Sequence, residues 1–142
     1  MTNFQSNTEE HGMQRINPKG LAVPAGFSHV VCASSNRIAF IAGQVSYDSD
    51  GKIVGVGDME TQTRQVFRNL QIALASVGAG FGDVAKTNYF VRDMSAESIA
   101  AIRKVRAEFF ASDAVPSSTM VGVVALAKPD LLLEVEAYAV IP

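Results

Sequence analysis

Residues 116–142 read PSSTMVGVVALAKPDLLLEVEAYAVIP. Two apolar runs rich in Val, Leu and Ala flank Lys128-Pro129-Asp130, a turn signal, so the stretch predicts two strands joined by a short connection. In the second run, a period of two puts Leu133, Val135, Ala137, Ala139 and Ile141 on one face. The opposite face carries Leu132, Glu134, Glu136, Tyr138 and Val140. Two carboxylates therefore sit in a segment otherwise suited to burial. The first run is apolar on both faces, with Ser118, Met120, Gly122, Val124 and Leu126 alternating with Thr119, Val121, Val123 and Ala125. Such a strand needs cover on both sides.

Upstream, Asp58 is a good helix N-cap with Glu60 in the first turn. Met59, Val66, Phe67, Leu70, Leu74 and Val77 recur at helical spacing up to Gly78, predicting a helix of about 19 residues with one apolar stripe. Gly78-Ala79-Gly80-Phe81-Gly82 follows that helix and precedes a strand. This is the wrong order for a phosphate cradle, so it reads as a helix exit. Residues 84–91 predict a strand. Ser95 caps a second helix running to about Phe110, with Ile99, Ile102, Val105 and Phe109 inward. Nearer the start, Met13 to Ile16 predicts a short edge strand, residues 23–29 a loop, and His29 to Ala33 and Arg37 to Val45 two strands around a Ser34-Ser35-Asn36 turn. Tyr47 to Gly51 reads as a turn, with Lys52 to Val56 returning as a further short strand. Residues 1–12 are polar and aperiodic and read as a flexible tail, leaving one domain over residues 13–142. The pattern predicts an α+β domain with a mixed sheet of five or six strands and both helices on one face.

Composition narrows the function. The chain has 142 residues, enough for one sizeable core, and a net charge of −2 that excludes the basic footprint of a nucleic-acid binder. No apolar run is long enough for a membrane span, and residues 1–12 carry no apolar signal segment. Cys32 has no partner for an internal disulfide and reads as a small buried hydrophobe, which suits a reducing, cytoplasmic setting. His29 has no second ligand at metal-binding spacing, and its plain reading is a loop hydrogen bonder. Asp48 and Asp50 lie in a calcium-loop-like pattern, but Met59 stands where the bidentate acid is needed. Neither a metal nor a cofactor is expected. Two helices can cover one face of such a sheet, so its other apolar face predicts a homo-oligomer packed sheet against sheet, with carboxylates in the clefts.

The chain also resembles the RidA/YjgF family of enamine/imine deaminase-like proteins. The resemblance rests on Gly26-Phe27-Ser28-His29, Ala42-Gly43-Gln44, Gln62-Thr63-Arg64-Gln65-x-x-x-Asn69-Leu70, Asp83-Val84-x-Lys86-Thr87, Pro116 and Glu134-Val135-Glu136-Ala137. It implies a chorismate-mutase-like fold and a homotrimeric barrel with a small-molecule pocket at each subunit seam. It further implies hydrolysis of enamines and imines to keto acids and ammonia without a cofactor. Glu134 takes the place of the family's catalytic glutamate. Ser118 stands where the family has its substrate-binding arginine, Met120 where it has a cysteine, Phe27 where it has a pocket tyrosine, and Ala42 where it has a serine. Arg103 aligns with a pocket asparagine. The expected substrate-binding set is therefore Ser118, Thr119, Met120, Phe27, Ala42, Gly43 and Arg103. Two functions remain open, a hydrolytic deaminase using Glu134 as acid/base and a non-catalytic metabolite-binding trimer. Glu134 alternatively serves as a structural glutamate, and Glu136 reads as a structural hydrogen bonder.

Overall fold

A computed structural model describes residues 6–10, 12–34 and 37–141. Seven strands and two helices follow in the order β1 (Ser6–Glu10), β2 (Met13–Ile16), β3 (Val30–Ala33), β4 (Arg37–Gln44), α1 (Met59–Ala75), β5 (Val84–Arg92), α2 (Ala96–Phe109), β6 (Ser117–Val123) and β7 (Leu133–Ile141). One sheet of four strands has the order β4-β7-β5-β6, and a smaller one has the order β1-β2-β3. β5 and β6 are parallel and β7 is antiparallel to both of its neighbours, so the larger sheet is mixed as expected. The α+β fold follows from this arrangement.

Helix α1 begins where Asp58 accepts a hydrogen bond from the Thr61 amide at 3.1 Å. It stops three residues before Gly78, whose φ of +73° lets the chain turn back so that the Ala79 amide reaches Leu74 O. Ser95 caps α2 and exchanges hydrogen bonds with Ser98. Both helices lie on one face of the larger sheet. Val66, Phe67, Leu70 and Leu74 of α1 and Ile102 and Val105 of α2 join Leu133, Val135, Ala137 and Ala139 of β7 in one core. Phe67 stacks on Phe109 with ring centroids 5.2 Å apart.

Five expectations need correction. The strands on either side of Lys128-Pro129-Asp130 do not pair with each other, because β5 lies between them. A β5-α2-β6 crossover sets β6 parallel to β5, a tertiary choice that the short connection does not reveal. The strands form two sheets rather than one, with β3 paired to β2 and β4 to β7; residues 35 and 36 of the intended turn lie outside the described residues. Within the expected tail, Ser6–Glu10 forms a strand antiparallel to β2, whereas residues 1–5 and 11 lie outside the described residues. Cys32 is exposed on β3, so apolar neighbours in sequence do not bury it. Residues 52–56 contribute one isolated bridge, Tyr47 to Ile53, in place of a strand.

Two buried polar side chains hold the connections in place. Arg15, 2% exposed, donates from Nε to Val115 O at 3.2 Å and from Nη2 to Gly82 O at 3.0 Å. Gln62, fully buried on α1, donates to Gly55 O and Asp130 O and accepts from the Leu132 amide at 2.9 Å. It therefore fixes the chain just before β7.

Candidate functional site

Strand register sorts the candidate residues by face, because residues directly opposite each other in neighbouring strands share one. Val135 and Ala137 face the helices. Tyr89 and Thr87 lie opposite them on β5, and Met120 and Ser118 lie opposite those on β6. Ser118 and Met120 therefore sit on the helix side of the sheet. Glu134, Phe90 and Val121 align on the other side, as do Glu136, Asn88 and Thr119. Within one protomer, the candidate acid and Ser118 point away from each other.

On the open side, Glu134 is half-buried and folds over Gly43. A Cβ at Gly43 would collide with its carboxylate, lying 2.7 Å from Cδ. Space for the acid comes from a bulge: Ile41 opposes Ala137 and Gln44 opposes Val135, leaving Ala42 and Gly43 to span the irregularity. Among the described residues, no hydrogen bond or ion pair reaches the Glu134 carboxylate. Glu136 differs, since it accepts from Asn88 Nδ2 at 2.9 Å, the structural hydrogen bond expected of it. Thr119 is exposed and accepts from Lys86 Nζ at 2.8 Å. Around them the surface is apolar and aromatic. Phe40 is 74% exposed and meets Tyr138 edge-on at 5.6 Å, and Ile38 and Val121 are also exposed.

The helix side carries a second cluster. The Ser28 amide donates to Pro116 O at 2.8 Å, and Ser28 Oγ donates to Val115 O at 2.7 Å, so the Phe27 loop docks at the start of β6. Phe27 is half-buried, packs edge-on against His29 at 5.3 Å, and borders an open cavity of about 920 Å³ shared with Arg15 and Asp113. His29 Nε2 pairs with Ala22 O at 2.7 Å, matching its reading as a loop hydrogen bonder. Phe27, Ser118 and Met120 thus belong to one region, and Glu134, Gly43, Ala42 and Thr119 to the opposite face.

Arg103 is exposed on α2, and no hydrogen bond or ion pair reaches it among the described residues. Arg106, one turn on, is half-buried and turns inward. Its guanidinium occupies the space over Gly26, where an added Cβ would overlap Nη2. Beside it is the buried Tyr89 hydroxyl, whose pKa is pushed up by burial and held back by the neighbouring Arg106 charge and by Thr87. The sequence contained the signal for Arg106: it follows Ile102 by four residues and precedes Phe109 by three, at the border of the apolar stripe.

A family model described as Endoribonuclease L-PSP matches residues 18–141. The chain belongs to this family, which comprises the RidA/YjgF proteins. It is 31% identical over 127 residues to the 3-aminoacrylate deaminase RutC of Acinetobacter baylyi, covering 86% of this chain and 98% of that protein. A RutC family protein of Synechocystis is 34% identical over 110 residues, 77% of this chain and 82% of the relative. Among solved structures, the Rid family protein YyfB of Yersinia pestis, of unknown function, superposes with a TM-score of 0.83 at 36% identity, covering 92% of this chain and 99% of that one. Yeast Mmf1 gives a TM-score of 0.66 at 28% identity, with 84% and 90% covered. These neighbours share the RidA/YjgF fold, with two helices against a mixed sheet.

Proposed function

We propose that this RidA-family protein is a cofactor-independent hydrolytic deaminase of small enamine or imine metabolites, working in clefts between the subunits of a homotrimer. One observation carries the reading: Glu134 is a half-buried carboxylate over Gly43 that no protein hydrogen bond or ion pair engages among the described residues. Holding a carboxyl group in a partly dry site without a partner is costly unless a ligand or a second subunit supplies one. The similarity to a protein named 3-aminoacrylate deaminase supports the reaction class. The opposite orientations of Glu134 and Ser118 support a site shared between copies. So do the exposed Ile38, Phe40 and Val121, since burying a side chain of this kind stabilises an assembly by roughly 1.5–3 kcal/mol.

In this mechanism Glu134 of one protomer faces the Phe27–Ser118 edge of the next. An enamine first takes a proton at carbon and becomes the iminium. Glu134 then accepts a proton from water as the water oxygen bonds to the iminium carbon, giving a carbinolamine. The same carboxyl group returns the proton to nitrogen, the hydroxyl gives its proton to the carboxylate as the C–N bond breaks, replacing the one taken up at carbon, and ammonia and a carbonyl product leave. Phe27 and Met120 wall the cleft, and Ser118 supplies a neutral hydrogen-bonding group where the family resemblance implies an arginine. An exposed, single Cys32 suits the reducing cytoplasm. The net charge of −2 gives no support to phosphodiester cleavage, despite the description attached to the family.

Ser118 also favours a second reading, a metabolite-binding trimer without catalysis. An assay with freshly generated 2-aminoacrylate and 3-aminoacrylate separates the two. The deaminase predicts faster release of the carbonyl product with wild type than with buffer, and loss of that acceleration in Glu134→Ala. Equal rates for wild type and buffer on both substrates would leave the binding trimer as the reading.

A further inference from the structure

Helix α1 presents three amide side chains, Gln62, Gln65 and Asn69, to the chain on either side of the Glu134 seat. Their spacings of three and four residues put them on one face of the helix. Gln62 holds Asp130 O and the Leu132 amide, on the approach to β7. Asn69 acts on β4. Its Nδ2 donates to Val45 O and to Tyr47 O, each at 2.9 Å. Gln65 Nε2 donates to Asn69 Oδ1 at 3.0 Å and to Tyr47 O at 3.3 Å, which keeps the Asn69 donor facing β4's exit.

Those two carbonyls lie past the β7 ladder, whose pairing with β4 ends at Gln44 opposite Val135. Asn69 supplies the donor that β7 no longer can. β4 is thus pinned on both sides of its bulge, by Ala137 opposite Ile41 before it and by Asn69 just after Gln44. Between the pins lie Ala42 and Gly43, and the Glu134 carboxylate rests against Gly43. The seat is tight, since a Cβ on Gly43 would lie 2.7 Å from Glu134 Cδ. We propose that Asn69, oriented by Gln65, is a positioning residue for Glu134: from the helix side it fixes where Gly43 lies and hence where the acid points. A misplacement of about 1 Å can cost about 100-fold in rate. The inference rests on the reading of Glu134 as the acid/base. It can fail separately, because the geometry of the seat is measurable without a substrate.

The test pairs amide hydrogen exchange with deaminase kinetics on the full-length protein. Asn69→Asp keeps the shape of the side chain and replaces the donor by an oxygen that both carbonyls repel. Exchange at the Ala42, Gly43 and Gln44 amides should rise roughly 10-fold, with the Tyr89 and Val91 amides of β5 unchanged. On freshly generated 2-aminoacrylate, kcat should fall roughly 10- to 100-fold while KM changes by less than about threefold. Added to Glu134→Ala, the same substitution should cost nothing further, because residues that act through one group are not additive. Gln65→Leu should move exchange and kcat in the same direction by less, and it keeps the test open should Asn69→Asp fail to fold. Arg68→Gln, exposed on the same helix, should leave both as in wild type. Unchanged exchange at the bulge, exchange raised equally across the sheet, or a further loss on adding Asn69→Asp to Glu134→Ala would each overturn the assignment. A wild type that does not accelerate the reaction would sink the deaminase reading, and the exchange result alone would then decide whether Asn69 holds the seat.

Discussion

Glu134 and Gly43 occupy one another's space: the carboxylate lies where a side chain on the neighbouring strand would begin. The missing Cβ thus determines where the acid points. Gly43 lies outside the left-handed region, so an alanine there strains no backbone and its effect falls on the acid. Gly43→Ala should lower deaminase activity about as far as Glu134→Ala does, roughly 100-fold or more for loss of a general acid/base, with only a small shift in Tm. Paired kinetic and thermal-denaturation measurements check this. Full activity in Gly43→Ala would show that the acid does not need this seat.

Gln62 reaches the same acid from a distance. Its amide group satisfies Gly55 O, Asp130 O and the Leu132 amide, and Leu132 lies two residues before Glu134. Replacement by leucine leaves three backbone groups without their partner. At about 1–3 kcal/mol for each buried group left unsatisfied, and with water recovering some of it, Gln62→Leu should cost about 3 kcal/mol. Urea denaturation measures the loss directly, and a change below about 1 kcal/mol would mean that these groups find other partners.

The helices are joined across their outer face by Glu60, Arg64, Lys104 and Glu108, with Arg64 Nη2 2.8 Å from Glu108 Oε1. Hydrogen bonds from Lys104 and then Arg64 hold the Glu60 carboxyl below its ordinary value, and the hydrogen bond from Arg64 does the same for Glu108. A carboxyl with a lowered folded pKa stabilises the fold above its unfolded value, here 4.5, and loses that contribution as pH falls through the folded value. The Tm difference between wild type and Glu108→Gln should therefore be present at neutral pH and close at pH values below about 4.5, and it should shrink in high salt. A difference independent of pH would assign the effect to packing.

Much of this fold was legible locally. The Asp58 cap, the α1 stripe and the alternation of Leu133 to Ile141 follow from periods of 3.6 and 2, and each appears in the structure. Partner choice was not legible. β7 inserts between β4 and β5, and nothing within residues 116–142 encodes that order. Ser6–Glu10 has no strand periodicity and is a strand through its pairing with β2. Cys32 has apolar neighbours in sequence but lacks cover in space. On α2, alignment pointed to Arg103, which is exposed, while the helical period places Arg106 at the border of the buried stripe. Side-chain direction distinguishes the two, and one-dimensional matching does not carry it.

The account depends most on the site being divided between copies, since Ser118 and Glu134 lie on opposite faces of one protomer's sheet. Subunit complementation measures this directly. Glu134→Ala lacks the acid, and Ser118→Trp fills the opposite half of the cleft, so each protein alone should be inactive. Unfolded together in equal amounts and reassembled, they should recover about one quarter of the wild-type rate, the share of seams in a randomly mixed ring that receive both intact halves. Mixed trimers that assemble but recover no activity would place both halves of the site in a single protomer and contradict the account.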